Sequence, residues 1–298
     1  MKQPIVMSFS SLFIFSIFLL SCTNPSSKDS SEAATTAESQ WDSLFNGKNL
    51  QGWYSYQKAP ESTSEVPGLN RDDQGNYTEA VGLHRDPLHV FTVVMEDDAP
   101  AIRISGEVFG ILVTEKEYEN YHLSLQFKWG TAKYPPRKNE KRDSGILYHS
   151  IGSEGVWGGV WMRSLECQVQ EGDCGDYISV DTVLADIPAT LDEENNLYLY
   201  SPESESLTFS PERSYCHKSK DYENPRGEWN TMEIYTFGNK SVHMVNGQVN
   251  NRISNSRHIM KGKELPLTKG KIQLQSEGAE IFYRNIKIKA IRELPVGL

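Results

Sequence analysis

The sequence predicts an all-β protein, a sandwich or jelly roll, on three observations. No segment of useful length repeats its apolar residues at helical spacing. Many short alternating or apolar runs are separated by Gly, Asn, Asp and Pro. Asn246-Gly247 joins two such runs, and this dipeptide suits a type I′ hairpin, whose two central positions need positive φ. Short strands joined by such turns bury their apolar faces by packing one sheet on another.

In chain order the expected strands are 101–105, 111–114, 121–129, 145–150, 165–170, 230–237, 241–245, 248–253, 270–276 and 281–291. The third run, 121–129, alternates most clearly. Tyr121, Leu123, Leu125, Phe127 and Trp129 share one face, expected in the core, and His122, Ser124, Gln126 and Lys128 share the other. Lys128 is either solvated or reaches into a ligand cleft. A short helical turn is expected within 192–199. Residues 133–142 carry Pro135-Pro136 and five cationic side chains, and read as a loop that is either a surface excursion or a rim of a binding cleft. There is no internal repeat and no sign of a second domain.

Residues 1–21 read as a lipoprotein signal peptide. Lys2 opens a short basic start, an apolar stretch follows, and Leu19-Leu20-Ser21-Cys22 forms a cleavage box that leaves Cys22 as the lipidated first residue. The apolar stretch is shorter than the roughly 20 residues of a membrane span. Residues 22–40 lack large apolar side chains and read as a flexible tether. Residues 41–298 are expected to form a single β-sandwich domain. The expected location is the bacterial cell envelope, on the periplasm-facing side, with the lipid as the only membrane contact. A formal charge of −10 gives no footing for nucleic acid. Beyond Cys22 the chain has Cys167, expected on a buried strand face, and Cys174 and Cys216, a candidate disulfide pair.

Strand 165–170 is the most informative. Alternation puts Leu165, Cys167 and Val169 on a face that can be buried, and Glu166, Gln168 and Gln170 on the opposite one. A carboxylate and two amides in a row suit a polar ligand. An acidic turn follows, with Glu171, Asp173 and Asp176 around Gly172 and Gly175. Those three acids serve either turn formation or a divalent cation held by oxygen ligands, shared with His149 and Glu166. No recognised metal loop is present, so no cofactor is assigned beyond that candidate cation.

The run Trp41 to Trp53, with Phe45-Asn46-Gly47-Lys48-Asn49-Leu50 at its centre, resembles the start of the 3-keto-disaccharide hydrolase family. Matching segments follow in order: Tyr118 to Leu123, Asp143 to Ser150, Leu165 to Gln170, Gly227 to Thr231, Val245-Asn246-Gly247, Gly270 to Gly278 and Phe282 to Ile286. The resemblance implies a concanavalin- or laminarinase-like jelly roll. It also implies 1,2-elimination from 3-keto-glycosides, joined to hydration of the resulting 2-hydroxyglucal. Where the family often has Arg after the Ser-Gly-Ile strand, this chain has His149.

A ketone at C3 acidifies the C2 proton, so such a reaction needs a base, a stabiliser for the enolate oxygen and an acid for the leaving group. His149 and Glu166 are the candidates for base and acid. His149 faces the cleft if Tyr148 packs inward. Candidate substrate contacts are Gln168, Arg163, Trp161, Lys128 and Asp143, where Arg163 alternatively pairs with Glu166 in a structural role. Either Trp157 or Trp161, in a Gly-rich segment, is placed to stack on a sugar. The expected partner is a small 3-keto-glycoside. Two alternatives stay open. One is a retaining glycosidase, since Glu166-x-Gln168-x-x-Glu171 has the spacing of a Glu-x-Asp-x-x-Glu site but lacks its Asp. The other is a carbohydrate-binding lipoprotein without activity.

Overall fold

The computed structural model describes residues 40–298. The expected signal peptide, the lipidation site Cys22 and nearly all of the tether lie outside the described residues. Among the described residues every regular element is a strand, and the strands form two antiparallel sheets. The longest path of one sheet runs Leu197–Tyr200, Val183–Asp192, Gln248–Met260, Lys240–Val245, Asn230–Phe237, Tyr121–Lys133, Ala279–Ala290, Ala99–Ile104, Phe91–Glu96. The other runs Tyr215–Cys216, Tyr177–Val180, Arg163–Gln170, Asp143–Ile151, Lys269–Ser276, Gly110–Thr114, Trp53–Gln57, Gly82–Leu83. We call them the long sheet and the site sheet. The chain passes repeatedly from one to the other, so neighbours in sequence often face each other across the core. This is the jelly-roll sandwich expected from the sequence.

The inward faces follow from alternation. Tyr121, Leu123, Leu125, Phe127 and Trp129 of the long sheet pack in one cluster with Ile146, Tyr148, Leu165, Cys167 and Val169 of the site sheet. Burying each such side chain stabilises by about 1.5–3 kcal/mol. Tyr148 also spans the core: its hydroxyl is within 2.6 Å of Ser241 Oγ and 2.9 Å of His243 Nε2 on the long sheet. A buried hydroxyl is thereby satisfied, and the two sheets are tied together beside the site.

The Asn246-Gly247 turn has φ of 49° and 77°, as the hairpin signal requires. Two expectations are corrected. Residues 192–199 form no helical turn; Val183–Asp192 and Leu197–Tyr200 pair as a hairpin, and Asp192 Oδ1 accepts from the backbone N–H of Glu194 and Asn195. Cys174 and Cys216 are both buried and free rather than joined; Cys174 Sγ is 3.3 Å from the Gln170 carbonyl.

Candidate active site

Strand Arg163–Gln170 lies between Asp143–Ile151 and Tyr177–Val180. Because Leu165, Cys167 and Val169 are used in the core, Glu166, Gln168 and Gln170 must point out of the sandwich. They line a cavity of about 480 Å³ together with Asp143, Arg137, Gln275, Glu277, Trp161 and Tyr215. The pairing register places Glu166 opposite Leu147 and Gln168 opposite Gly145. On the far side of that strand lies Lys269–Ser276, which supplies Gln275.

Gly145 makes room for this arrangement. A Cβ there would overlap Glu166 Oε1 and come within 2.7 Å of Gln275 Oε1. Gly145→Ala should therefore move the Glu166 carboxyl off its position without touching the core, and lower kcat/KM by about 10²-fold, as misplacing a catalytic group by about an ångström does. Unchanged kinetics in a folded Gly145→Ala protein would contradict the placement of Glu166 at the centre of the site.

Four carboxyl side chains line the cavity with Arg137: Asp143, Glu166 and Glu277, and Asp173 from the acidic turn, which pairs with Lys141 and Lys218. Arg137 Nη2 lies 2.5 Å from Asp143 Oδ2, and its Nη1 lies 3.7 Å from Glu277 Oε1. Gln170 Nε2 donates to the same Asp143 oxygen at 2.5 Å. Glu166 is 2% exposed and has no ion-pair partner among the described residues. Burial pushes its carboxyl well above the usual range, and Glu277 and Asp143 push it further by repulsion. Burial also raises Asp143, against the pull of Arg137. It raises Glu277, where the repulsion of Asp143 adds to it and Arg137 again opposes it. The site thus holds carboxyls whose proton affinities are raised above those of ordinary surface acids.

Polar atoms without partners gather at the same place. Asp143 Oδ1, Arg137 Nε, Trp161 Nε1 and Gln275 Oε1 are buried and make no hydrogen bond. Buried polar groups are normally paired, and their concentration in one cavity marks a place built for polar contacts with a ligand. Gln168 adds an amide whose Nε2 donates to Tyr215 Oη at 3.3 Å. Trp161 packs against the half-exposed Trp157, ring centroids 5.5 Å apart, at the cavity edge. Glu166, Gln168, Asp143 and Trp161 are thus brought together as the sequence suggested.

Other candidates lie elsewhere. His149 does not face the cleft. Its φ of 49° and the register shift beside it form an irregularity that reverses the alternation. The ring packs edge-on against Tyr121 and Tyr148 instead, and burial lowers its pKa to about 4. Lys128 belongs to the long sheet, on the face away from the core. It pairs there with Glu96 and Asp97 and sits over the Trp229 ring. Arg163 pairs with Asp181 at 2.6 Å, and neither Glu166 nor the cavity contacts it. The acidic turn is paired with cations: Glu171 with Arg142, Asp173 with Lys141 and Lys218, and Asp176 with Lys218, while His217 Nδ1 lies 2.8 Å from Asp176 Oδ2. These carboxylates anchor the turn rather than form the expected cation site. Among the described residues no group of three or more His, Cys, Asp or Glu is arranged to hold a metal.

Sequence reasoning missed Glu277, Gln275 and Tyr215 as site residues, and treated Arg137 only as one of five loop cations. Glu277 follows the strand Lys269–Ser276 at a turn. There Gly278 has φ of 82°, and a Cβ on it would come within 2.9 Å of Arg137 Cβ. The Glu-Gly pair ending an alternating run was the one available signal: a left-handed glycine there aims the preceding acid and lets the Arg137 loop approach.

No curated protein matches the chain. Among solved structures the chain is similar to a Parabacteroides distasonis ATCC 8503 protein provisionally named a glycosyl hydrolase, with 19% identity, 85% of this chain and 100% of that one covered, and a TM-score of 0.44. It is also similar to the Bacillus licheniformis β-glucanase (14% identity, 86% and 100% covered, TM-score 0.36). A third is the carbohydrate binding module CBM66 of Bacillus subtilis (6% identity, 67% and 92% covered, TM-score 0.39). The sequence profile of the 3-keto-alpha-glucoside-1,2-lyase-like domain matches residues 40–289, a span that holds both sheets and every residue of the cavity, and the chain belongs to that family.

Proposed function

We propose that the chain cleaves 3-keto-glycosides by 1,2-elimination followed by hydration, a net hydrolysis, in the Glu166 cavity. The observation that carries this reading is the cluster of Asp143 and Glu277 beside the Arg137 guanidinium with the unpaired Glu166 in the same cavity, all three with proton affinities raised by burial. Asp143, whose ionised form Arg137 favours against the effect of burial, takes the C2 proton. The electron pair forms the C1–C2 double bond as the C1–O bond breaks, and Glu166, which lacks a cation, gives its proton to the departing oxygen. Negative charge that develops on the C3 oxygen is stabilised by donors in the cavity, from Arg137, Trp161 and the Gln168 amide. Hydration runs the transfers in reverse: Glu166 deprotonates water as it adds to C1, and Asp143 returns a proton to C2. His149, facing the core, has no part in this scheme.

Ordinary glycoside hydrolysis is less well supported. It needs a pair of carboxyls across the scissile bond, and Glu171, which would complete the glycosidase spacing with Glu166, is held by Arg142 outside the cavity. Family membership makes the chain carbohydrate-active, and the keto group is tested directly. The purified domain would be given a 3-keto-disaccharide and its unoxidised parent. Cleavage of the keto sugar alone is expected. Cleavage of the parent would support the glycosidase, and binding without turnover the lectin-like alternative.

From the leader sequence we also propose that the domain is held at the bacterial cell envelope by acylation of Cys22 and faces the periplasm. Expressed with its own leader, the wild-type chain should fractionate with membranes and Cys22→Ala should not. A membrane-bound Cys22→Ala protein would argue against the lipid anchor.

A further inference from the structure

Tyr215 and His217 stand on two cavities at once. Their rings stack with centroids 4.5 Å apart, and both residues line the Glu166 cavity and a second groove of about 730 Å³. Each volume lies in the range of small-molecule sites. The groove is built by the hairpin strand Leu197–Tyr200, by Ser206–Phe209 and by the turn after it. Nothing in the mechanism above uses it.

Its chemistry is that of a sugar subsite. Tyr198 is half-buried, braced edge-on by Phe209 at 5.9 Å, and the Arg213 guanidinium lies 4.5 Å from its ring centroid. Arg213 has five N–H donors. Its side chain donates to the Thr208 carbonyl at 3.3 Å, and it forms no ion pair among the described residues. Glu212 accepts from the Ser210 hydroxyl at 2.6 Å, which leaves acceptor capacity on the carboxylate. One cation and one anion side by side give the groove no strong sign, which suits a neutral hydroxylated ligand over a uronate or a phosphate.

We propose that this groove is a leaving-group subsite for an oligosaccharide, so that the enzyme removes the oxidised unit from the end of a chain of three or more sugars. The inference rests on the 3-keto-glycoside reading. With the reacting ring held at Glu166 and Gln168, a leaving group that extends past Tyr215 enters the groove. Tyr215 is hydrogen-bonded to Gln168, so the wall of the groove is continuous with the face that holds the reacting ring. The groove is larger than the site cavity itself, so it takes more than the single sugar that completes a disaccharide.

The test compares three substrates: methyl 3-keto-glucoside, a 3-keto-disaccharide and a 3-keto-trisaccharide oxidised at the non-reducing end. Wild-type kcat/KM should be about tenfold higher for the trisaccharide than for the disaccharide, the equivalent of about 1.4 kcal/mol of added contact. In Tyr198→Ala and Arg213→Ala that advantage should disappear, with the loss on the trisaccharide far exceeding the loss on the methyl glycoside. Equal kcat/KM for the disaccharide and trisaccharide in the wild type, or equal losses on every substrate in the variants, would overturn the subsite. If no keto sugar is turned over, the function reading fails, and the groove is judged by calorimetric titration with the unoxidised trisaccharide. Binding that is lost in Arg213→Ala supports the groove, and absence of binding to the wild type overturns it.

Discussion

Glu166→Gln is expected to lower kcat/KM on a 3-keto-glycoside by about 10²–10⁴-fold, the usual contribution of a general acid–base group. Gln matches the shape of Glu and fits the space that Gly145 leaves open, so the cavity should keep its form. The substitution removes only the transferable proton. A second readout separates catalysis from folding. Burial raises the proton affinity of Glu166 in the folded chain, whereas in the unfolded chain the group titrates near 4.3. The folded state therefore binds more protons, and its stability, complete below that pH, declines as pH rises toward the folded value. Gln has no such penalty. Heat stability of Glu166→Gln relative to wild type should rise as pH climbs above about 4, the unfolded value. Full activity in the variant would remove Glu166 from the mechanism. A pH-independent stability difference would mean that its burial does not perturb it.

Arg137→Met is expected to move the acid limb of the pH–rate profile to higher pH. Arg137 opposes the upward push that burial exerts on Asp143 and Glu277. Without the guanidinium the base binds its proton more tightly and is silent at a pH where the wild type works. A shift of one pH unit corresponds to about 1.4 kcal/mol and to a tenfold lower rate at a fixed pH below the limb. Rate should recover as pH rises, which a merely misfolded protein would not do. Met keeps most of the apolar stem, so packing changes are small. An unmoved acid limb would show that Asp143 is not the group whose ionisation limits turnover.

Much of this was legible in the chain. Period-two alternation in 121–129 and 165–170 fixed which side chains enter the core, and so fixed that Glu166 and Gln168 point outward. The Asn246-Gly247 turn was legible because its backbone tolerates few residues. The errors have specific physical origins. His149 was misplaced because a bulge with a left-handed non-glycine residue leaves no mark in an alternating pattern. Lys128 was read correctly as facing away from the core, but alternation does not say which sheet a strand joins. Arg163 was placed by sequence proximity to Glu166, whereas its side chain reaches Asp181 in the turn after strand Tyr177–Val180. Glu277 and Arg137 lie far from Glu166 in sequence, and only the register of Lys269–Ser276 and the fold of the 133–142 loop bring them together. Asp143 entered through the family resemblance alone.

The central claim is that the C2 proton leaves during cleavage. It is tested most directly by running the reaction in D₂O and examining the released 3-keto-sugar by mass spectrometry and proton NMR, against unreacted substrate held in the same solvent. Elimination and hydration predict one deuterium at C2 in each product molecule, above the exchange seen in the control. Cleavage that leaves C2 protonated would contradict the account.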